Sequence, residues 1–156
     1  MPTIIPAILE KEFSGVALKI RRVERESPET RLVQIDIGDN VFVPNTTWSR
    51  AEDLAGLLSS LIYEIHLMVQ NPFRVLHTWL AVSSVRRIII HKEACAEKEA
   101  SECAACVHEH GREIAIALNP STPLDAITSA LSYIDMILFM GVVPGFAGQS
   151  FKEEVL

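Results

Sequence analysis

Residues able to do chemistry lie in or just after short apolar runs of the sequence. Asp36, His66 and His91 fall in the second half of such runs, and Glu93 follows two residues beyond His91. Carboxylate and imidazole groups transfer protons and bind metal ions near neutral pH. A histidine in an apolar strand is also commonly a hydrogen-bonded core residue, and His91 with Glu93 is equally able to cap a helix. Their role therefore depends on the elements that carry them.

A second set of reactive side chains lies in a predicted helix. Cys103, Cys106, His108 and His110 form a C-x2-C-x-H-x-H pattern, and on a helix residues 103, 106 and 110 share one face. That spacing permits a zinc site. However, alanine and valine residues continue an ordinary apolar stripe along the same face, and no second pair of ligands lies nearby in sequence. We expect buried thiols here rather than a metal centre.

Apolar runs alternate with helical patterns along the chain. The runs are near-continuous in Ile, Val and Leu, which is typical of strands buried on both faces of a parallel sheet. We predict strands over Thr3–Leu9, Leu32–Ile37, Leu61–Val69, Val85–His91, Glu113–Leu118 and Ile134–Met140. We predict helices over Phe13–Arg25, Trp48–Ser60, Pro72–Ser83, Glu93–His110 and Pro123–Leu131, with Thr46 or Thr47 as the cap of the second and Asn71 as the cap of the third.

Repeated strand–helix units with right-handed crossovers indicate an α/β fold, and the length of the chain indicates a single domain over residues 1–156. Both a doubly wound sheet and a (βα)8 barrel are built from such units. A barrel needs eight of them. We expect six parallel strands in this sequence, so that a barrel would lack its last two βα units.

Composition and charge restrict the class of partner and the compartment. Fourteen basic and twenty acidic residues give a net charge of −6, which repels nucleic-acid backbones, so we expect no nucleic-acid partner. The three cysteines lie in one segment, a poor disulfide framework that favours the reducing cytoplasm. The first residues lack the pattern of a signal peptide, and prolines and glycines break the apolar stretch 127–148, so we expect no membrane span.

Four motifs in a fixed order resemble those of one enzyme family. They are D-x-x-D-x-x-F-V-P-N (Asp36 to Asn45), H-L-M (His66 to Met68), N-P-x-T-P-L (Asn119 to Leu124) and P-G-F-x-G-Q (Pro144 to Gln149). In this order and spacing they are similar to the motifs of ribulose-phosphate 3-epimerase, and the resemblance covers nearly the whole chain. It implies that the fold is an incomplete barrel of the TIM (βα)8 type, truncated after its sixth strand.

The resemblance implies an isomerase of the pentose phosphate pathway. Such an epimerase interconverts D-ribulose 5-phosphate and D-xylulose 5-phosphate by removing and returning the proton on C3, through an enediolate that a divalent metal (zinc, iron(II), manganese or cobalt) stabilises. By resemblance, Asp36 is an acid/base residue and metal ligand, and His66 is a metal ligand that also contacts substrate. Met68 and Met140 match active-site methionines. The residues expected at the phosphate are Gly145, Phe146, Ala147 and Gly148.

Several positions depart from the family pattern. Gln34 stands where a metal-ligating histidine is expected, and Ala7 stands where a serine contacts substrate. Gly38 replaces a third methionine, Val143 an asparagine and Ala147 a glycine. A second acid/base aspartate and the remainder of the phosphate site have no counterpart in this sequence. We therefore expect little epimerase activity from this chain alone.

These departures leave two hypotheses. The first is an epimerase that works when a C-terminal chain or a second copy completes it through the exposed edges of the first and sixth strands. The second is a non-catalytic barrel that binds a sugar phosphate or supports a partner chain. His91 and Glu93 match a family His-x-Glu and either orient the site or cap the helix that follows. Relatives that act on ketohexose 6-phosphates share the fold, so the substrate remains open between the two sugar classes.

Overall fold

Six parallel strands form one curled sheet in the computed structural model, which describes residues 3–155. The strands are β1 (Ala7–Ile8), β2 (Leu32–Gly38), β3 (Ile62–Met68), β4 (Val85–His91), β5 (Glu113–Leu118) and β6 (Met136–Phe139). They are hydrogen-bonded in chain order, with no reversal of the kind that defines a doubly wound sheet. The expected fold, an incomplete TIM-type barrel, is confirmed. Met1, Pro2 and Leu156 lie outside the described residues. The first two begin the segment in which we predicted no signal peptide.

Helical segments connect the strands. The α-helices are α1 (Phe13–Glu26), α2 (Ala51–Ala55), α3 (Pro72–Leu80) and α4 (Glu97–Glu109), and 3-10 turns cover Lys92–Ala94, Leu124–Ser132 and Glu153–Val155. Two of the predicted helical segments contain 3-10 structure: the segment predicted from Glu93 begins with a 3-10 turn before α4, and the segment predicted from Pro123 is 3-10 throughout. Asn71 precedes α3 as predicted, although its side chain makes no capping hydrogen bond.

The predicted helix over Trp48–Ser60 was wrong in length. Thr47 does not cap a helix, because its Oγ1 accepts a hydrogen bond from the backbone N–H of Gly38 and donates one to the carbonyl of Asp36, both 2.9 Å long. The backbone stays extended through Arg50, with φ −98° and ψ 100°. The threonine therefore holds the following segment against the end of β2, and α2 begins only at Ala51.

Alternate residues of the strands point to two different faces. On the face that packs against the helices, which we call the helix face, side chains of β2 and β3 join one large hydrophobic core. On the opposite face, the inner face, Ile89, Ala115 and Ala117 form a small apolar cluster, against which Met136, Leu138 and Met140 pack. Polar residues of β2, β3 and β4 occupy the rest of the inner face.

The three cysteines are free and buried in the core; Cys103 and Cys106 lie on α4, and Cys95 precedes it. The ring of His110 contacts the backbone of Cys106 and not its sulfur: Nδ1 of His110 lies 2.8 Å from the backbone oxygen of Cys106. Within residues 3–155, no helix is long and apolar enough to cross a membrane.

Candidate active site

Parallel pairing of β2 with β3 brings Asp36 and His66 together on the inner face, near the carboxyl ends of the strands where barrel enzymes place their chemistry. Oδ1 of Asp36 lies 3.1 Å from Nδ1 of His66. The side chain of Asp36 is 15% exposed and that of His66 only 2%. The carboxylate is therefore the member of the pair that a ligand can reach.

Gln34 occupies the preceding inner-face position of β2. Its Nε2 lies 2.7 Å from Oδ1 of Asp36 and 3.3 Å from Nδ1 of His66. Because an amide nitrogen carries two hydrogens, it can donate to both groups and bridge them. Ala7, at an expected substrate-contact position, pairs with Gln34 across the ladder and is exposed.

His91 extends this contact to β4. Its Nε2 lies 2.8 Å from Nε2 of His66, and the two rings are nearly parallel, with an interplanar angle of 19°. Nδ1 of His91 lies 3.3 Å from Oε2 of Glu93. Burial lowers the pKa of His91, which favours the neutral ring. We call these three residues the His66–His91–Glu93 chain.

Glu93 anchors the far end of that chain. Its Oε1 accepts hydrogen bonds from the backbone N–H of Asn119, at 2.9 Å, and from the hydroxyl of Thr122. Burial alone would raise the pKa of Glu93, but hydrogen bonds from His91, Thr122 and Asn119 outweigh it and lower the pKa to about 2. The ionised carboxylate faces Nδ1 of His91, so we assign the proton of that ring to Nδ1.

The loop between β2 and α2 folds over this end of the sheet. Asp39 accepts backbone hydrogen bonds from Val41 and Phe42 through Oδ1 and from Gln70 through Oδ2, each 2.8 Å long. Burial alone would raise the pKa of Asp39, but these hydrogen bonds outweigh it and lower the pKa. The ring of Phe42 lies 4.8 Å from that of His91, centroid to centroid, and covers it.

Gly38 allows that loop to approach the strand closely. A Cβ atom added at this position would lie 2.7 Å from the backbone oxygen of Asn45 and 3.1 Å from the side chain of Val43. The space that a methionine would need is therefore filled by the chain's own backbone. A larger side chain at this position would therefore require the loop to move.

The loop 141–149 after β6 holds the residues expected at a phosphate. Gly145 is buried with φ 115°, a conformation that favours glycine. Its carbonyl accepts a 2.8 Å hydrogen bond from Nδ2 of Asn45, which is 7% exposed, so the two loops are joined. Phe146, Ala147 and Gly148 are exposed. A cavity of about 250 Å³ beside this loop is lined by Asn119, Pro120, Ser121, Val143, Pro144 and Lys152.

The two expected methionines occupy different surroundings. Met68 pairs with Gly38 across the ladder and is 2% exposed, whereas Met140 follows β6, is half-buried and packs against the inner apolar cluster. The structure thus brings Gln34, Asp36 and His66 into direct contact and continues that contact through His91 to Glu93. Met140 lies on the same inner face but beside β5 and β6, away from this group.

Sequence analysis did not single out the polar residues that support this site. Asn45 was predicted only as part of a motif, and Thr47 only as a helix cap. Both are buried: Asn45 bonds the loop that contains Gly145, and Thr47 bonds the backbone of β2. Arg87 was not considered at all; it bonds Glu64 at 2.6 Å and also Glu113 on the inner face. The sequence did contain an indication of this ion pair. Glu64 and Arg87 lie inside apolar strands, where a charged side chain is expected to have a partner of opposite charge.

The residues described do not fit a divalent metal. Within residues 3–155, no three His, Cys, Asp or Glu side chains are grouped so that they could hold a metal ion. Asp36 and His66 are two suitable ligands in contact, but the donor group of Gln34 points at both. Zinc sites in proteins usually have three or four protein ligands.

Comparison with known proteins assigns the chain to a family. Residues 3–156 match the model of the ribulose-phosphate 3 epimerase family. Ribulose-phosphate 3-epimerase of Synechocystis is 33% identical over 154 residues, which are 98% of this chain and 66% of the relative. The Bacillus subtilis protein of that name is 30% identical over 157 residues (100% and 70%), and the Treponema pallidum one is 34% identical over 149 residues (94% and 66%). The chain spans about two thirds of the length of these curated relatives. This chain belongs to the ribulose-phosphate 3-epimerase family.

Proposed function

We propose that this protein binds a pentulose 5-phosphate at the carboxyl ends of its strands, and that Asp36 removes and returns the proton on C3, as in a ribulose-phosphate 3-epimerase. The observation that carries the proposal is the partly exposed carboxylate of Asp36, held on the inner face by His66 and Gln34. The names of the relatives support the substrate class.

The chemistry requires a base close to C3. The C3–H bond is acidified by the neighbouring carbonyl, and a carboxylate that takes this proton leaves an enediolate. Inversion requires a second acid/base group on the opposite face of the sugar. The nearby carboxylates Asp39 and Glu93 accept hydrogen bonds from their own surroundings. We therefore expect the 156-residue chain to exchange the C3 proton with solvent faster than it inverts C3.

The other predicted residues receive roles of binding and orientation. The loop with Gly145, Phe146, Ala147 and Gly148 would receive the phosphate, and Met68 and Met140 would form apolar walls beside the enediolate. His91 and Glu93 would orient His66. Ala7 would border the substrate without a hydroxyl to offer. We regard residues 1–156 as one barrel-like domain.

The family leads us to expect zinc, iron(II), manganese or cobalt, but the residues described do not fit such an ion, and no step here uses one. The β1 and β6 edges each have one hydrogen-bonded neighbour among residues 3–155. A second copy or a C-terminal chain pairing there would supply the second acid/base group. The free cysteines favour the cytoplasm as the location.

A second candidate function is binding of a sugar phosphate without turnover. The hydrogen bond from Gln34 to Asp36 favours it, because it occupies an oxygen of the proposed base. In this alternative the chain would act as a binding subunit or support a partner chain.

The test is an exchange experiment with ribulose 5-phosphate in D2O. Proton NMR measures loss of the C3 proton, and a coupled assay measures xylulose 5-phosphate. We expect exchange by the wild type and a loss of about 10²- to 10⁴-fold in Asp36→Asn. Asp125→Asn, which alters an exposed carboxylate in a 3-10 turn, is the matched control. Saturable binding without exchange would favour the second candidate, and exchange that survives Asp36→Asn would contradict the first.

A further inference from the structure

We propose that the carboxamide of Gln34 takes the place of a divalent cation between Asp36 and His66, so that this part of the site is held together without a metal. The inference does not depend on turnover of a sugar phosphate. It starts from the position of Nε2 of Gln34, 2.7 Å from Oδ1 of Asp36 and 3.3 Å from Nδ1 of His66.

The orientation of the amide follows from the charges around it. Asp36 presents a carboxylate oxygen, which accepts hydrogen bonds and does not donate them. If the amide were turned over, its oxygen would stand 2.7 Å from that carboxylate oxygen, and the two would repel each other. The nitrogen with its two hydrogens must therefore face Asp36, as the structure has it.

The position of the hydrogen on the His66 ring follows from Glu93, at the far end of the His66–His91–Glu93 chain. Oε2 of Glu93 accepts a hydrogen bond from the Nδ1–H assigned to His91, so Nε2 of the neutral His91 ring carries a lone pair. The 2.8 Å contact between the two Nε2 atoms then requires the hydrogen to be on Nε2 of His66. For neutral rings, Nδ1 of His66 is left as a lone pair that points toward Gln34 and Asp36.

Two electron-rich atoms thus lie 3.1 Å apart, Nδ1 of His66 and Oδ1 of Asp36. Such a pair needs a positive group between its members. A metal ion would supply a full charge at about 2.0–2.2 Å from each ligand atom. The amide supplies two partially positive hydrogens from one nitrogen, so a cation could enter only by displacing the side chain of Gln34.

The position of Gln34 on the strand makes the bridge rigid. Its backbone N–H donates to the carbonyl of Pro6 at 2.9 Å, and its backbone pairs with Glu64 on the other side. The side chain therefore starts from a central position of the ladder rather than from a loop. A histidine on the same backbone would present a lone pair to Asp36 and His66 in place of two hydrogens.

The experiment measures zinc and cobalt(II) binding by calorimetry and by cobalt absorption, without substrate. We expect no Asp36-dependent binding by the wild type. We expect Gln34→His to bind one ion at least 10-fold more tightly than the wild type, and to lose that gain when combined with Asp36→Asn. Subtracting the Asp36→Asn background removes ions held by cysteines or histidines elsewhere. Thermal unfolding of each variant shows that it is folded.

A second measurement decides the case in which neither protein binds an ion. The side-chain NH2 signals of Gln34, assigned by NMR through their loss in Gln34→Ala, should be shifted in the wild type and should move on Asp36→Asn. Signals unaffected by Asp36→Asn would overturn the proposal. So would stoichiometric metal binding by the wild type that Asp36→Asn abolishes. Because no substrate is present, neither result depends on whether the protein is an epimerase.

Discussion

The two faces of β2, β3 and β4 are made from alternate residues of the same segments, yet different forces hold them. On the helix face, Val33, Ile35 and Ile65 are at most 1% exposed and belong to the apolar core. On the inner face, Glu64 and His66 are equally buried, but each contacts a specific polar partner. Apolar burial is non-directional, whereas a buried polar atom needs a partner at a fixed distance and angle.

This difference predicts how each face responds to mutation. A helix-face residue can be replaced at a cost that follows the volume removed, because its neighbours offer only dispersion and exclusion of water. Replacing an inner-face residue has an additional cost in stability, because its buried polar partner is left charged or without a hydrogen bond. We therefore expect mutations on the two faces to differ in cost.

The largest effect is expected at the buried ion pair of the inner face. In Arg87→Met, Glu64 would lose its 2.6 Å partner while its own side chain is 3% exposed. We expect the free energy of unfolding to fall by about 3–5 kcal/mol. Arg86→Met is the matched control: Arg86 contacts the same Glu113 but is 51% exposed, so we expect a loss below about 1 kcal/mol. Urea unfolding at neutral pH measures both, and equal losses would contradict the comparison.

A slightly smaller effect is expected on the helix face. Ile65 is fully buried in the core, so Ile65→Ala should lower the free energy of unfolding by about 3 kcal/mol through lost burial and a residual cavity. Ile65→Val should cost about 1 kcal/mol, since most of the volume remains. Leu58→Ala, at a side chain 86% exposed, should change stability by less than about 0.5 kcal/mol. A cost that failed to follow the volume removed would argue against purely apolar packing on this face.

The next effect tests the close approach of the loop to β2. In Gly38→Ala the new methyl would meet the backbone oxygen of Asn45 at 2.7 Å, so we expect a loss of about 1–3 kcal/mol. In Gly56→Ala the nearest atoms lie 3.7 Å away, and stability should change by less than about 0.5 kcal/mol. Thermal unfolding of the two variants side by side is the measurement. Equal stability of both would mean that the loop does not pack against Gly38.

The smallest effect concerns pH. The pKa of Asp39 is lowered in the folded protein below its ordinary value of 3.8, because the backbone hydrogen bonds to its ionised form outweigh its burial. Its contribution to stability is therefore present above about pH 4 and is lost as the pH falls through the lowered pKa. We expect the wild type to lose about 1 kcal/mol more than Asp39→Asn between pH 7 and pH 3. Parallel pH profiles of unfolding would show that these hydrogen bonds do not stabilise the loop.

Much of the fold was predictable from local patterns. All six strands lie within or overlap the apolar runs, since a buried parallel strand needs a continuous apolar segment whatever its partners are. β1 is shorter than predicted, Ala7–Ile8 rather than Thr3–Leu9, and Pro6, which has no N–H to donate, precedes it. The motifs placed Asp36 and His66 at strand ends on sequence alone, because their order and spacing are specific in combination.

The helix at Trp48–Ser60 shows why other features were not predictable. The threonines before it satisfy a rule for helix caps, and that rule considers only neighbours in sequence. Thr47 instead bonds backbone atoms of β2, nine and eleven residues earlier, which competed for its hydroxyl once the loop had folded back. A local preference of about 1 kcal/mol is easily outweighed by such contacts.

The sequence by itself determined which segments form strands and, through the order of its motifs, the family and its barrel fold, because each depends on residue type and spacing along the chain. Only the tertiary structure decided what the polar residues do. Asp36 and His66 are thirty residues apart, and Gln34 reaches both because the β2–β3 register sets them side by side. A glutamine in a strand is compatible with many partners. Its role as a bridge exists only once β2, β3 and β4 have paired and brought these side chains together.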